Sequence, residues 1–441
     1  MNIDQLKDLL RENGIVGAGG AGFPTYAKLD TRADTLILNC AECEPLLRLH
    51  RQVLKMYTHE ILSTLYEISK ILEVKTVYIG IKGSYKRTVA AVSEEISSFD
   101  NMKICTLPEV YPAGDEVVLT YEATGRVVPA GGIPIAVGVV VLNVETVYNI
   151  YRAMQGEPVT HKYITITGEV KNPVTLYAPV GITIEKLLEA AGGVTIDDPA
   201  YVLGGPMMGS LGSPFDTVTK TSNAVLVLPK TLPLVQKKKS KTSIDIRRAM
   251  SSCCQCSYCT SLCPRALLGH PIDPSAFMLA ASHGVTSDTN PYVNSMFCSG
   301  CGLCEMYSCT QGLSPRTLLA ATKRGLQKQG IRAPKDARQR EVDPSRDMRM
   351  IPLSRLRSRL GLDPYNNSAP VSEQPLGFGK LFIALSQHIG APAVPVVKKG
   401  DKVSAGQMIA SPAENALSVA IHSPVDGTVT EVTKTKITIS V

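Results

Sequence analysis

The chain has 441 residues, which is too long for one ordinary hydrophobic core and predicts three or four domains. Hydrophobic residues make up 44% and charged residues 19%, which excludes a disordered chain, and no stretch approaches the roughly 18 apolar residues of a membrane span. The net charge is +7, but much of the basic excess lies at residues 237–241 and 332–359, which look like solvated linkers, so we expect no nucleic-acid binding.

The first predicted element is an amphipathic helix over residues 2–13, which is followed by a glycine-rich loop. Apolar, strand-like runs and helical patterns then alternate as far as residue 150. The strand-like runs are at residues 35–39, 76–81 and 137–143, and the helical patterns are at residues 50–72 and 85–98. This alternation predicts a parallel α/β sheet, and we assign residues 1–155 to this domain.

The rest of the chain divides into three further modules and a linker. Residues 160–235 contain short β runs around one helix and indicate a small α+β module. Residues 245–332 carry most of the cysteines. Residues 333–375 are rich in arginine, proline and serine, which predicts an exposed linker. Residues 376–441 have short β runs separated by turn residues and predict a small all-β domain.

The cysteines of residues 245–332 form two runs. The first has the spacing C-x2-C-x2-C-x3-C, and the second repeats it with one inserted residue. In two-cluster bacterial ferredoxins, three cysteines of such a run bind one cluster and the fourth binds the other. We therefore predict a ferredoxin-like domain with two [4Fe–4S] clusters. The two ligand sets are Cys253, Cys256, Cys259 and Cys309, and Cys298, Cys301, Cys304 and Cys263.

Other interpretations of the cysteines remain open. The N-terminus carries no secretory signal, so we expect a cytoplasmic protein in which disulfides are rare. Structural zinc is the alternative to the clusters, although zinc sites usually have separated C-x2-C pairs rather than triplets. Cys254 is out of register and is expected to be a buried or spare thiol. Cys40 and Cys43 have the spacing of a redox pair, but their loop also belongs to a ligand-binding motif.

The glycine-rich loop is a candidate ligand site. It follows a helix rather than a strand, so it lacks the context of a dinucleotide-binding fingerprint. Its small residues still allow backbone N–H groups to approach a phosphate or an aromatic ring. The loop reads Gly17-Ala18-Gly19-Gly20-Ala21-Gly22-Phe23-Pro24-Thr25.

Three further motifs accompany this loop. They are Asn39-Cys40-Ala41-Glu42-Cys43-Glu44-Pro45, Tyr111-Pro112-Ala113-Gly114-Asp115-Glu116 and Asn143-Val144-Glu145-Thr146. With the loop, they resemble the flavin-binding domain of the complex I FMN/NADH-binding subunit and of the related RnfC and PduS families. In those families the loops surround FMN, and NADH stacks on the flavin. The resemblance therefore implies a Rossmann-like flavin domain that uses FMN and NADH.

The resemblance also implies which residues contact the cofactors. Phe23 is implied to line the nicotinamide side, and Phe23 and Glu116 are the candidate catalytic residues. The acids can accept hydrogen bonds from ribityl or ribose hydroxyls, whereas the alternative is that they are solvated loop residues. The implied FMN contacts are Gly17, Gly19, Gly20, Lys28, Asn39, Glu42, Glu44, Gly114, Asp115, Glu116, Asn143 and Thr146.

The resemblance extends to the other modules. Residues 160–235 look like the SLBB β-grasp module of this group, and residues 376–441 look like a barrel-sandwich hybrid similar to biotinyl and lipoyl carriers. The hairpin at residues 412–418 has no lysine to modify, so we expect a structural domain. The sandwich follows the flavin domain, as in PduS-type corrinoid reductases, whereas in RnfC-type proteins it precedes that domain.

The resemblance implies an NADH-dependent cobalamin reductase-type oxidoreductase. Electrons would pass from NADH through FMN and two clusters to a corrinoid or a corrinoid-handling enzyme, as in propanediol utilisation. The implied location is the cytoplasm, inside or on a bacterial microcompartment, with a shell protein as a further partner. The alternatives are an RnfC-like subunit of an electron-transport complex and a shell-docked electron conduit without catalysis of its own.

Overall fold

The computed structural model describes residues 1–239, 241–284, 286–334 and 337–441. Ser240 of the first predicted linker, Val285 of the cysteine-rich domain, and Lys335 and Asp336 of the second predicted linker lie outside the described residues. Among the described residues, no helix has both the length and the apolar character that crossing a membrane requires.

The first domain is a four-stranded parallel sheet with helices on both faces. Its elements are α1 (Ile3–Glu12), β1 (Thr35–Cys40), α2 (Leu49–Met56), α3 (Thr58–Ile71), β2 (Thr76–Lys82), α4 (Lys86–Glu95), β3 (Met102–Leu107), β4 (Val110–Tyr111), α5 (Glu116–Thr124), β5 (Val139–Asn143) and α6 (Val144–Met154). The strand order is β3-β2-β1-β5, and every pair is parallel, which confirms the predicted sheet. The predicted helix at residues 50–72 is divided at Tyr57 into α2 and α3.

Alternate residues of β1 face opposite sides of this sheet, and both sides are covered. Leu36 and Leu38 of β1 belong to the core beneath α2, α3 and α6, whereas Ile37 faces the side on which Leu119 of α5 packs. Because both faces are buried, β1 is a continuous apolar run rather than an alternating one.

The second domain contains a mixed sheet and one helix. Its elements are β6 (His161–Gly168), β7 (Val174–Pro179), α7 (Ile184–Ala190), β8 (Pro199–Leu203), β9 (Ser210–Gly212) and β10 (Ala224–Pro229). Strands β6 and β10 are parallel at the centre, and their neighbours β7 and β8 are antiparallel to them. Leu187 and Leu188 of α7 pack on this sheet, as in the predicted β-grasp module.

The cysteine-rich domain is built from short helices. They are α8 (Pro233–Lys238), α9 (Thr242–Ser252), α10 (Tyr258–Ser261), α11 (Pro264–Leu267), α12 (Pro274–His283), α13 (Asn290–Val293) and α14 (Pro315–Lys328). The expectation of a solvated linker is wrong for Lys237 and Lys238. Lys237 Nζ donates to the carbonyl of Leu313 at 2.7 Å, and Lys238 Nζ donates to the carbonyl of Gly209 at 2.5 Å. Lys237 therefore makes a contact within the cysteine-rich domain, and Lys238 joins that domain to the second domain.

The segment at residues 333–375 differs from the exposed linker that we predicted. It contains α15 (Arg346–Arg349), β11 (Ile351–Pro352), α16 (Leu353–Arg359) and β12 (Val371–Ser372). Strand β11 pairs with β4 of the first domain, and β12 pairs with β7 of the second. Ile351, Leu356 and Leu360 are buried, so the segment packs across both domains.

The C-terminal domain consists of two small sheets, as predicted. Its strands are β13 (Lys380–Ala384), β14 (Val394–Pro395), β15 (Lys402–Val403), β16 (Met408–Ser411), β17 (Ile421–His422), β18 (Gly427–Val432) and β19 (Lys436–Ser440). It packs beside the N-terminal residues, since the N–H of Ile389 donates to the carbonyl of Ala21 at 3.2 Å. The buried Nζ of Lys220 donates to the carbonyls of Gly14 at 2.8 Å and Ala420 at 2.7 Å, which ties three domains together.

Candidate flavin and iron–sulfur sites

A cavity of about 440 Å³ extends from the carboxyl ends of β1 and β5 along β5. Strand β1 pairs with β2 on one side and β5 on the other, so this is the point where the sheet order reverses. Open α/β sheets bind ligands at such points, and the volume falls within the usual range for small-molecule sites. Asn39 and Asn143 lie at the ends of the two strands, are register partners and line the cavity.

The glycine-rich loop forms one wall of this cavity. The N–H of Gly17 donates to the carbonyl of Phe23 at 2.9 Å, which closes the loop. Gly20 and Gly22 have φ angles of 68° and 69°, a left-handed conformation that favours glycine. A Cβ added to Gly19 would lie 2.7 Å from Asn143 Nδ2, so a side chain there would displace the Asn143 amide that lines the cavity. The backbone is therefore exposed to a ligand along most of the loop.

An ion pair lies in the wall opposite the loop. Lys28 Nζ is 2.5 Å from Glu116 Oε1, and the side chains are 20% and 38% exposed. Glu116 is the first residue of α5, where the helix dipole favours a negative charge. The cavity thus offers a cation and a carboxylate to hydroxyl groups of a ligand.

Most of the predicted flavin contacts line this cavity, together with Phe23. The residues that do so are Gly17, Gly19, Gly20, Phe23, Lys28, Asn39, Gly114, Glu116 and Asn143. Four predicted contacts lie outside the lining and make other interactions: Glu42, Glu44, Asp115 and Thr146.

Glu42 is buried and Glu44 is partly buried, and both carboxylates bind backbone N–H groups. Glu42 accepts from the N–H of His50 at 2.8 Å and so caps α2. Glu44 accepts from Met207 at 2.8 Å and Met208 at 2.9 Å, which joins the first domain to the second. Burial is the largest influence on both carboxyls and raises the pKa of each.

Asp115 and Thr146 do not line the cavity but hold the segments that do. Asp115 caps α5 by accepting from Val117 at 3.0 Å and Val118 at 3.2 Å. Thr146 Oγ1 accepts from the N–H of Ala18 at 2.9 Å, which anchors the glycine loop to α6. The motifs thus contain cavity-lining residues and their supports side by side.

Sequence reasoning missed the apolar part of the cavity wall. Ile133, Ile135, Val139 and Val140 line it, and Arg32 stands at the same cavity. These apolar residues belong to a run that ends at Asn143. Because Asn143 begins one of the motifs, the position of the run directly before it could have identified this wall.

The eight predicted cluster ligands lie at two separate small cavities, grouped in the crossed pattern. One cavity is lined by Cys253, Cys256, Cys259 and Cys309, with Cys254 beside them. The other is lined by Cys263, Cys298, Cys301 and Cys304. Among the described residues, no three potential ligands converge as tightly as the ligands of a single metal ion must. Cys254 is exposed rather than buried, and its role as a spare thiol stays a prediction.

The two cysteine runs share a backbone conformation. Gln255 and Ser257 have φ angles of 53° and 63°, and Gly300 and Gly302, at the equivalent places of the second run, have 76° and 84°. Left-handed conformations are unusual for glutamine and serine, so the first run accepts strain that the second avoids with glycine. This repeat turns three cysteines of each run toward one cavity.

Burial favours the neutral form of several thiols in these cavities. Burial and neighbouring cysteines raise the pKa of Cys259 and of Cys301 to about 12. Iron reverses this balance because a coordinated thiol is deprotonated. Burial also raises the pKa of Cys43 to about 12, opposite to the lowered pKa of a reactive redox thiol.

The second cysteine cavity adjoins the flavin domain. Tyr111 Oη donates to the carbonyl of Cys301 at 2.7 Å, and Arg265 forms an ion pair with Asp115 at 2.8 Å. Asp115 stands between Gly114 and Glu116, which both line the larger cavity. The two sites are therefore linked through one short segment of the chain.

Four domain families match the chain in this order. They are the Nuo51 FMN-binding domain at residues 10–152, the SLBB domain at residues 163–210, the 4Fe-4S dicluster domain at residues 252–314 and the RnfC Barrel sandwich hybrid domain at residues 363–440. These matches confirm the predicted fold class and favour iron–sulfur binding over structural zinc.

The chain is also similar to whole proteins. It is 37% identical to "Cobalamin reductase PduS" of Citrobacter freundii, over 98% of this chain and 96% of that protein. It is 36% identical to "Cobalamin reductase PduS" of Salmonella typhimurium, over 100% of this chain and 97% of that protein. It is 34% identical to a subunit of the ion-translocating oxidoreductase complex of Edwardsiella ictaluri, over 60% of this chain and 32% of that protein.

The fold and the two kinds of site define a flavin and iron–sulfur oxidoreductase. The similarity to the PduS proteins extends over the full chain, so the chain belongs to the PduS family.

Proposed function

We propose that this chain is an NADH-dependent corrinoid reductase, which transfers electrons from NADH to the cobalt of a corrinoid with the help of FMN and two [4Fe–4S] clusters. The observation that carries the proposal is the contact between the flavin domain and the second cysteine cavity. Asp115, beside the wall of the flavin-domain cavity, binds Arg265, and Tyr111 of the same segment binds the backbone of Cys301. The identity of the acceptor rests on the printed function of the PduS relatives.

The flavin-domain cavity, of about 440 Å³, fits FMN by its volume and its lining. The exposed glycine backbone suits the close approach of a phosphate or a ring, and the apolar residues Ile135 and Val140 suit the faces of a flavin. Bound FMN supplies the chemistry of accepting a hydride and releasing electrons singly. The predicted contact residues that line the cavity, including Lys28, are the ones that would hold it.

The chain's own residues orient the ligands and exclude water. Glu116, paired with Lys28, accepts hydrogen bonds from hydroxyls of the flavin or the nicotinamide nucleotide. Phe23 covers the nicotinamide side of the cavity. Glu42, Glu44, Asp115 and Thr146 act indirectly, because they fix the segments that carry the lining residues.

The two cysteine cavities provide the donor sets for the clusters. The first set is Cys253, Cys256, Cys259 and Cys309, and the second set is Cys263, Cys298, Cys301 and Cys304. Four thiolates are the usual donor set of a [4Fe–4S] cluster. The second set adjoins the flavin domain, so we place it before the first set in the order of electron transfer.

A microcompartment in the cytoplasm is the proposed location, with a shell protein as a further partner, and both rest on the family alone. The second candidate is an RnfC-like subunit of an electron-transport complex. It is less favoured because the similarity to the ion-translocating oxidoreductase complex covers 60% of this chain, against 98% for PduS.

The test compares two acceptors with anaerobically purified protein. We expect NADH to reduce both ferricyanide and cobalamin in the wild type. Ferricyanide can take electrons early in the proposed route, whereas reduction of the corrinoid needs both clusters. The Cys298→Ala variant should therefore retain ferricyanide reduction and lose most cobalamin reduction. A variant that reduced cobalamin as fast as the wild type would refute the route.

A further inference from the structure

A groove of about 830 Å³ lies between the cysteine-rich domain and α16. Tyr258 and Tyr307 line one side, and Arg355 and Arg359 line the other. The groove contains part of the segment at residues 333–375, so it exists only because that segment packs against the cysteine-rich domain. No predicted site residue lies in it.

The groove adjoins the first cysteine cavity. Thr310 lines both spaces, and Tyr258 directly precedes the ligand Cys259. Cys256 of this set is exposed, whereas Cys263 and Cys304 of the second set are buried. A ligand in the groove would therefore lie beside the more accessible cluster, at the end of the electron route that is farther from the flavin contacts.

The lining has the chemistry of a site for a ligand that carries a phosphate group and a broad ring. Arg355 and Arg359 are exposed, are four residues apart on α16, and form no ion pair among the described residues. Guanidinium groups bind phosphate oxygens in pairs, and tyrosine rings provide flat apolar surfaces. Ser354 and Ser358 add hydroxyls that can bind amide groups. Arg349 also lines the groove, but it pairs with Asp343 at 3.4 Å.

We infer that this groove binds the corrinoid acceptor, with its phosphodiester at Arg355 and Arg359 and its macrocycle against the two tyrosines. The inference rests on the proposed function and adds the place where the acceptor docks. Oxidation of one NADH to NAD⁺ and a proton supplies two electrons, so two corrinoid molecules each take up one, and Co(II) becomes Co(I) in both.

The test measures binding and turnover in the flavin- and iron-loaded protein. The Arg355→Gln/Arg359→Gln variant should bind hydroxocobalamin about tenfold more weakly in equilibrium dialysis and raise the KM for cobalamin about tenfold, since two charged contacts are lost. NADH-dependent reduction of a neutral quinone should not change. The matched control is Arg324→Gln/Lys328→Gln, which removes the same charge from exposed positions of α14 outside the groove.

A second variant, Ser358→Glu, puts a negative charge into the groove at an exposed position and should weaken binding without loss of iron or flavin. Unchanged hydroxocobalamin binding in both groove variants, or an equal loss in the control, would overturn the inference. Wild-type protein that binds no hydroxocobalamin would overturn it as well. Binding that depends on the arginines without any cobalamin reduction would leave the groove in place and refute the proposed reductase function.

Discussion

The guanidinium of Arg265 donates to the carboxylate of Asp115 at 2.8 Å, and both side chains are only 14% exposed. Arg265 follows the proposed cluster ligand Cys263 by two residues, and Asp115 lies between two residues of the flavin-domain cavity. This largely buried ion pair therefore fixes the position of one cysteine set relative to the cavity.

Replacement of Arg265 should affect the reduction of cobalamin more than the reduction of ferricyanide. We expect Arg265→Gln to lower the rate of cobalamin reduction several-fold, because the domains lose a shielded ion pair at the contact through which we propose that electrons pass. Ferricyanide reduction should persist, since Asp115 keeps its bonds to Val117 and Val118. The control is Arg357→Gln, which breaks the more exposed pair with Asp363. Equal cobalamin rates in the two variants would contradict this prediction.

The crossed ligand sets can be tested one cysteine at a time. Cys309→Ala should remove the cluster of Cys253, Cys256 and Cys259, although Cys309 belongs to the other run, because these four line one cavity. Iron analysis and EPR should show loss of that cluster, while Cys254→Ala changes the iron content little. Loss of only the Cys298 cluster in Cys309→Ala would show that the sets are not crossed.

The glycine loop should tolerate no branched side chain at its centre. Gly19→Val is expected to abolish flavin retention, because even the added Cβ would lie 2.7 Å from Asn143 Nδ2. Flavin content after gel filtration is the measurement, and the iron content should remain. Gly325→Val is the control, since a Cβ there meets nothing within 4 Å. Normal flavin content in Gly19→Val would place the cofactor elsewhere.

Glu116 should matter for the reaction with NADH more than for the fold. Glu116→Gln removes a charge from the cavity without changing its volume and leaves Lys28 without its partner. We expect a several-fold loss of NADH oxidation with flavin and iron content unchanged. Glu157→Gln, at the exposed pair with Arg152, should be neutral. Full NADH oxidation by Glu116→Gln would remove this residue from the catalytic candidates.

Lys220 makes the junction of the three domains sensitive to pH. Burial lowers the pKa of Lys220 from 10.5 to about 7 in the folded protein. Between these values the unfolded chain binds more protons, so stability rises with pH across about pH 7 to 10.5 and does not depend on this group below pH 7. The nearby His388 and His422 have lowered pKa values and titrate below this window.

The measurement is urea unfolding of wild type and Lys220→Met across this pH range. The wild-type free energy of unfolding should rise relative to the variant by on the order of 5 kcal/mol in total. Identical pH slopes for the two proteins would show that Lys220 keeps its ordinary pKa at the junction.

The spacing of the cysteines, together with the ferredoxin pattern, made their grouping at two cavities predictable. The roles of the acids were not predictable in the same way. A carboxylate after a strand can bind a ligand, as Glu116 is placed to do, or cap a helix, as Glu42 does, and the difference depends on which N–H groups the fold brings near. The arginine-rich composition likewise predicted an exposed linker. Leu356 and Leu360 have helical spacing and provide the buried face at α16.

The glycine loop is held by three domains, and this has a thermodynamic consequence. A Cβ on Gly22 would lie 2.5 Å from Thr221 Cγ2 and 3.3 Å from the Cα of His388, and Ala21 accepts a hydrogen bond from Ile389. A ligand that binds only the ordered loop stabilises these contacts by RT ln(1 + [L]/Kd). The resistance of the C-terminal domain to unfolding thus depends on the concentration of a cofactor whose cavity that domain does not line.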